Sequence, residues 1–354
     1  MDSQTLRARL KRIRAGIARL KADCLIVTKQ ANVTYITGFS GDDSWAIVLP
    51  KSVVLVTDSR YSEQATQECR RCRIIVRKDA MVKAVAGLLR NRRGIKVAAV
   101  EKSTSIVEFE GLRKHLACRV KAVGQVVESA RRAKDAGEVA AILTAAKIAG
   151  RAFEQTLRRV LPGLTENELA GILDFEIRRL GGRNSFEMIV AFGANASRPH
   201  HRPTNRKLSK NDTVLMDFGV RHNGYCCDIT RCFAEGRAGG LYRKAHKAVE
   251  EARAAALAMV RPGVEIRRVD AAAKTVIKKY GLPVYGHGTG HGLGLEVHEL
   301  PAVSAKSEGK LQAGDVITIE PAVYIPGKLG VRIEDDILVT EDGCVVLSEC
   351  CHCQ

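Results

Sequence analysis

The 354-residue chain holds no apolar run approaching the ~20 residues that a membrane-spanning helix requires. The basic stretch from Met1 to Lys21 lacks the apolar core of a secretory signal, so no membrane association is expected. An Arg-rich transit peptide is the competing reading, but Leu6, Leu10, Ile13, Ile17 and Leu20 recur at helical spacing and predict an amphipathic first helix. Aromatic residues are scarce at 5%, and no interleaved aromatic run or nucleic-acid motif accompanies the basic residues. The glycine-rich stretch near residue 290 fits no G-x-G-x-x-G register, and no G-x-x-x-x-G-K-[ST] is present, which excludes a phosphate-cradling loop. Cysteine is plentiful, yet the 11 residues lack the even count and regular spacing of a disulfide framework. Reduced thiols and a cytoplasmic setting are therefore expected. Cys69-Arg70-Arg71-Cys72 is a lone C-x-x-C, and Cys350-Cys351-His352-Cys353 ends the chain. A zinc site built from both, or redox activity in either, is a reading that one unpartnered C-x-x-C carries only weakly.

What is abundant is positive charge, and it is unevenly placed. The net charge is +16 over residues 1–134 and +2 over 135–354, which argues for two units with different surfaces. Attraction of a polyanion is one reading of the basic half. An Arg-rich solvated surface is the plainer one and is preferred, so nucleic acid is not the expected partner.

Hydrophobic periodicity agrees with two units. Strands are expected at Cys24–Thr28, Asn32–Phe39, Ala46–Leu49 and Val53–Thr57. Helical patterns near 62–68, 81–90 and 105–116 then alternate with short strands at 73–76 and 97–100, the mark of an α/β layered domain. Residues 1–127 form this domain, 128–137 are expected as a charged linker, and 138–354 form the second domain. There, an Ala-rich helix from Glu138 to Val160 is followed by a helix opened by the N-cap Thr165. Strands near 188–192 and 213–233, a second helix pair at 241–260 and 269–280, and final strands at 316–324 and 330–339 make it α+β. Two rounds of helices followed by strands suggest an internal duplication that no sequence repeat proves.

Carboxylates sit where strands normally exclude them. Asp217 and Asp228 flank Asn223-Gly224, a strong hairpin signal. A two-residue turn there sets 222 opposite 225 and 217 opposite 230, making Asp228 a diagonal neighbour of Asp217. Glu320 and Glu334 lie in apolar strands that the link Pro326–Gly330 can fold into an antiparallel pair. Such carboxylates repel and are poorly solvated unless a cation lies between them. Satisfaction by Arg221, Arg231 or Arg332 is reasonable for one of the four and strained for all. The remaining chemistry lies in Gly286-His287-Gly288-Thr289-Gly290-His291-Gly292, with His298 just beyond. Four carboxylates and one imidazole balance two divalent cations, and oxygen-rich ligation favours Mn, Co or Zn.

The order Asp…Asp…His…Glu…Glu, with Val33-Thr34-Tyr35-Ile36-Thr37-Gly38-Phe39-Ser40-Gly41 and Thr57-Asp58-Ser59-Arg60-Tyr61 upstream, resembles the Xaa-Pro peptidase family of aminopeptidase P and prolidase. The resemblance implies a creatinase/prolidase-like N-terminal domain followed by a pita-bread catalytic domain. It also implies a metal-dependent exopeptidase, Xaa-Pro aminopeptidase or dipeptidase, that cleaves the bond before proline through a metal-bound hydroxide. By the same resemblance Asp217, Asp228, His291, Glu320 and Glu334 hold two divalent metal ions, Mn²⁺ first and Co²⁺ or Zn²⁺ otherwise, with Asp228 and Glu334 bridging. Glu320 also accepts a proton, His200 and His298 act on the scissile region and the tetrahedral intermediate, and His287 lines the substrate pocket. The implied partners are a peptide with proline at its second position and a second copy of the chain. His201 departs from the family pattern and is expected to face solvent. Arg198, Arg202 and Arg332 are candidates for binding a substrate carboxylate. The alternative is a non-catalytic pita-bread module whose basic N-domain contacts nucleic acid or a protein partner, although such modules have generally lost ligands.

Overall fold

The computed structural model describes residues 3–349 except residue 91, so the terminal Cys350–Cys353 cluster lies outside the described residues. The chain divides into two compact units, Met1–Arg131 and Arg132–Gln354.

The first unit runs α1 (Ser3–Arg19), β1 (Cys24–Val27), α2 (Gln30–Thr37), β2 (Trp45–Val48), β3 (Val53–Thr57), α3 (Ser62–Glu68), β4 (Arg73–Val76), α4 (Met81–Arg90), β5 (Val97–Glu101), α5 (Ile106–His115) and β6 (Arg119–Val123). Its six strands form one mixed sheet in the order β4-β3-β2-β1-β5-β6. β1 is buried along its whole length, as its unbroken apolar run requires. In α1, Leu6, Leu10, Ile13 and Ile17 are buried, so the helical spacing in the sequence marks a true apolar face. Residues 32–39, expected as a strand, instead lie in and just beyond α2. Gly38 in the left-handed region donates its N–H to the Thr34 carbonyl and ends that helix, and Val33, Tyr35 and Ile36 are buried on it. Burial outweighs the β-branched bias of the local sequence. Cys69 is buried and Cys72 half-buried, both as free thiols.

The stretch 128–137 is not an irregular linker. It carries most of α6 (Val126–Arg132) and the Asp135 cap of α7 (Ala136–Leu157), where Asp135 and Glu138 complete a capping box.

In the second unit, α7 is followed by α8 (Glu166–Arg179), β7 (Arg183–Asn184), β8 (Ile189–Phe192), β9 (Thr213–Phe218), β10 (Val220–His222), β11 (Tyr225–Cys226) and β12 (Ile229–Ala234). Then come α9 (Gly240–Leu257), α10 (Ile266–Lys279), β13 (Gly290–Gly292), β14 (Glu299–Val303), β15 (Val316–Ile319), β16 (Ala322–Ile325), β17 (Leu329–Arg332), β18 (Asp335–Val339) and β19 (Cys344–Val346). The sheets are β12-β9-β8, β11-β10-β7, β14-β13-β15-β18-β19 and β16-β17. One core packs α7 and α8 on β8, β9 and β12, and another packs α9 and α10 on β15 to β18.

The two helix pairs repeat at an offset of 100 residues, and the leucines bonded to the loops between their helices at an offset of 103. Gly163 N bonds Leu208 O and Leu208 N bonds Leu164 O, while Gly263 N bonds Leu311 O and Leu311 N bonds Val264 O. After the second helix of each pair, Gly181 and Gly281 both take positive φ. The duplication suggested by the element order is therefore present in the bonding pattern. No helix among the described residues is long and apolar enough to cross a membrane.

Candidate metal centre

The hairpin around Asn223-Gly224 takes the predicted register. Asn223 and Gly224 both adopt positive φ, as a type I′ turn demands, and pair His222 with Tyr225. The same register sets Asp217 of β9 opposite Thr230 of β12. Asp228 falls between β11 and β12, where the ladder is interrupted, and its N–H donates to the Asp336 carboxylate at 3.1 and 3.3 Å. Glu320 and Glu334 occupy matching breaks: Ile319 pairs with Asp335 on one side and Ala322 with Arg332 on the other. The expected approach of 320 to 334 follows, but Pro321 divides each long expected strand into two. Thr230 ties the pairs together by donating from Oγ1 to Glu334 Oε2 at 2.6 Å.

β13 brings His291 to the same place, and its glycines are demanded by close approach. A Cβ on Gly290 would collide with the Thr318 carbonyl, and one on Gly292 with the Leu300 carbonyl. His291 N donates to Thr318 Oγ1 at 3.1 Å. Asp270 of α10 accepts from Thr289 N and Oγ1 at 3.1 and 2.8 Å, anchoring the start of the strand.

A cavity of about 570 Å³ is lined by Asp217, Asp228, His291, Glu320 and Glu334 together with His200, His287 and His298. The eight acidic and histidine side chains that the resemblance assigns to metal and substrate thus face one space. Donor atoms of Asp228, His291 and Glu334 lie within 4.8 Å of one another. His291 Nε2 is 3.6 Å from Asp228 Oδ2 and 3.8 Å from Glu320 Oε1, and its ring packs edge-on against His298 at 4.4 Å.

The electrostatics describe a site short of positive charge. Burial, then the neighbouring Glu334 and Asp217, raises the Asp228 pKa well above the usual carboxylate range. Burial and Glu334 raise Glu320 in the same way, and burial with Asp217 pushes Glu334 up to about 7. Among the described residues, Asp217 Oδ1 and Asp228 Oδ1 are buried without a hydrogen-bond partner. Burial lowers His291 to about 4, so the ring is neutral at physiological pH. Its Nδ1–H donates to Gly292 O at 3.0 Å, which leaves the Nε2 lone pair aimed at the carboxylates. Orphaned carboxylate oxygens and a neutral imidazole with a free lone pair fit divalent cations held by mixed O and N donors.

Arg332, one of the candidates for a substrate carboxylate, lines the cavity. It donates to Asp217 Oδ2 at 2.5 Å, Tyr324 OH at 2.5 Å and Thr230 Oγ1 at 3.2 Å, and is buried. It thereby satisfies one of the four carboxylates. Arg231 pairs with Asp335 at 2.8 Å, and Arg221 donates to the Leu295 and Gly224 carbonyls. Arg198 is exposed and bonds Asn195, while Arg202 is exposed 3.8 Å from Glu187, a residue of the cavity wall.

Tyr324 was not singled out in the sequence, though it lies four residues past Glu320. Its hydroxyl is 3.3 Å from His287 Nε2, whose Nδ1–H donates to Gly288 O at 2.7 Å. Burial lowers His287 to about 4, so Arg332, Tyr324 and neutral His287 form one donor chain along the wall. His201, expected to face solvent, is 5% exposed and bonds Glu166 at 2.9 Å.

The model of metallopeptidase family M24 matches residues 140–341, and that of the creatinase/prolidase N-terminal domain matches residues 9–133. The chain is 35% identical over 342 residues to the uncharacterized peptidase YqhT of Bacillus subtilis, covering 95% of this chain and 96% of that protein. It is 33% identical over 332 residues to a putative Xaa-Pro aminopeptidase of Mycoplasma pneumoniae, covering 93% of each. Among solved structures, an Xaa-Pro dipeptidase from Bacillus anthracis matches with a TM-score of 0.94 at 31% identity, covering 97% of this chain and 98% of that one. The prolidase of Pyrococcus horikoshii matches with a TM-score of 0.90 at 30% identity, covering 96% and 98%.

Proposed function

The chain belongs to metallopeptidase family M24, with a creatinase/prolidase N-terminal domain ahead of a pita-bread catalytic domain, and we propose that it is a dinuclear-metal exopeptidase hydrolysing the peptide bond before proline in Xaa-Pro peptides. The observation that carries this reading is the single cavity faced by four acidic side chains and a neutral imidazole, two of whose buried carboxylate oxygens have no partner. The names of the Mycoplasma pneumoniae relative and the Bacillus anthracis structure support the substrate class.

Asp217, Asp228, His291, Glu320 and Glu334 would hold the two cations in this proposal, with Asp228 and Glu334 shared between them. Bound there, the cations would supply Lewis acidity toward a water and toward the scissile carbonyl. Glu320 takes the proton of the attacking water and passes it to the leaving prolyl nitrogen. His298, beside His291, donates to the developing oxyanion, and His200 holds the scissile region from the facing loop. Arg332 holds Asp217 in place, and with Tyr324 it orients His287 toward the substrate. Mn²⁺ as the native metal, a homodimer and a cytoplasmic setting complete the reading, supported by the family resemblance alone. No observation favours a non-catalytic binding module.

The test is hydrolysis of Ala-Pro and Ala-Pro-Ala by protein loaded with Mn²⁺, Co²⁺ or Zn²⁺. Turnover of the dipeptide alone assigns a dipeptidase, and turnover of the tripeptide assigns an aminopeptidase P. Glu320→Gln is expected to lower kcat by about 10²–10⁴-fold. Absence of turnover on either peptide with every metal refutes the proposal.

A further inference from the structure

His200 reaches the cavity from a long connection between β8 and β9, with only a short turn of 3-10 helix at Gly193–Ser197. Such a connection is ordinarily mobile, and a residue carried on it holds a substrate poorly unless the loop is tied down. The tie is Glu166, the first residue of α8, which is fully buried. Its Oε1 accepts from Phe192 N and Asn195 Nδ2, each at 2.8 Å. Its Oε2 accepts from His201 Nε2 at 2.9 Å, Thr204 N at 3.0 Å and Thr204 Oγ1 at 2.6 Å. One carboxylate therefore gathers residues 192, 195, 201 and 204 of the connection, and His201 is the residue next to His200.

The electrostatics agree with a charge held for this purpose. Burial opposes ionisation of Glu166, but the donors from Thr204, Asn195, His201 and Phe192 outweigh it and lower its pKa. The loop is also seated from its other side: a Cβ on Gly330 of β17 would collide with the Ala196 carbonyl. Thus the same strand that ends in Arg332 forms the bed on which the loop lies. Glu166 and His201 do not line the cavity, so neither serves as a ligand or a proton carrier there.

We propose that Glu166 and His201 form a buried clamp that holds the 192–204 loop rigid against the cavity, making both of them positioning residues for His200. The effect on catalysis rests on the proposed peptidase function, whereas the clamp itself does not. His201→Ala is expected to lower kcat/KM on an Xaa-Pro peptide by about tenfold to a hundredfold, chiefly through His200 displaced from its working geometry. Metal content should stay at the wild-type level, and His201→Gln, which keeps a donor at the reach of Nε2, should recover most of the loss. Hydrogen exchange read peptide by peptide should show lost protection in 192–204 and unchanged protection in α9 and α10. Glu166→Gln, which turns donors toward the Thr204 N–H, should show the same pattern more strongly.

A His201→Ala enzyme within about twofold of wild type overturns the clamp, and so does a loss that tracks falling metal content or that His201→Gln fails to recover. If the wild-type protein cleaves no Xaa-Pro peptide, the peptidase reading fails instead. Exchange in 192–204 then decides the clamp alone, and unchanged protection in His201→Ala would overturn it.

Discussion

Stripping the cations should make the protein's stability depend steeply on pH, in a direction the buried carboxylates dictate. Glu334 has its pKa moved from an ordinary 4.5 to about 7 by burial and by Asp217. A carboxyl whose folded pKa lies above its unfolded one contributes stability that is fully present below the unfolded value and is lost as pH rises through the folded value. At about 1.4 kcal/mol per tenfold change in the proton equilibrium, Glu334 alone costs the stripped fold about 3 kcal/mol between acid and mildly alkaline pH. Asp228 and Glu320 shift the same way for the same reasons and add to the loss. Cations held between these groups cancel the repulsion, so the gap in Tm between metal-loaded and chelator-treated protein should widen from about pH 5 to about pH 8. For a unit of this size about 3 kcal/mol corresponds to roughly 6–12 °C. The assay is thermal unfolding of EDTA-dialysed protein, with and without Mn²⁺, at each pH. As an internal control, stripped Glu334→Gln should melt above stripped wild type at the alkaline end and level with it at the acid end. A gap that stays constant or narrows with rising pH would refute the reasoning, as would a stripped Glu334→Gln that gains nothing.

Two further outcomes follow from the same geometry. Asp228→Ala and Glu334→Ala should each lose both metals together, because each is assigned to both ions; elemental analysis showing one metal retained per chain would show the bridging assignment wrong. Gly290→Ala should abolish metal binding and lower Tm, since a Cβ there meets the Thr318 backbone rather than a movable side chain. A folded Gly290→Ala variant with full metal content would mean that the strands can part without disturbing His291.

Much of the site was legible because it is encoded locally. Asn223-Gly224 dictates a turn with positive φ at both positions, and that turn alone sets Asp217 opposite Thr230. The acidic residues stood out because strand interiors seldom hold carboxylates. The expected pairing of 320 with 334 likewise needed only a short link and a common register. The periodicity of α1, the Thr165 cap of α8 and the alternation of the first unit are short-range signals of the same kind.

Other features depended on partners far apart in the chain. Arg332 meets Asp217 across 115 residues of sequence, so its bonds to Asp217 and Tyr324 could not be read from its neighbours. His201 reads as a loop residue until Glu166, 35 residues earlier, is folded beneath it. The segment 32–39 carries strand-forming residues, yet burial of one helical face and the Gly38 cap make most of it α2. Pro321 broke a strand whose apolar pattern ran straight through it. Sequence by itself determined the turns, the caps, the apolar faces and the chemical types brought to the site, because each depends on residues a few positions apart. Tertiary structure alone decided which charge each buried group would face, because that choice is made by whatever distant element closes over it.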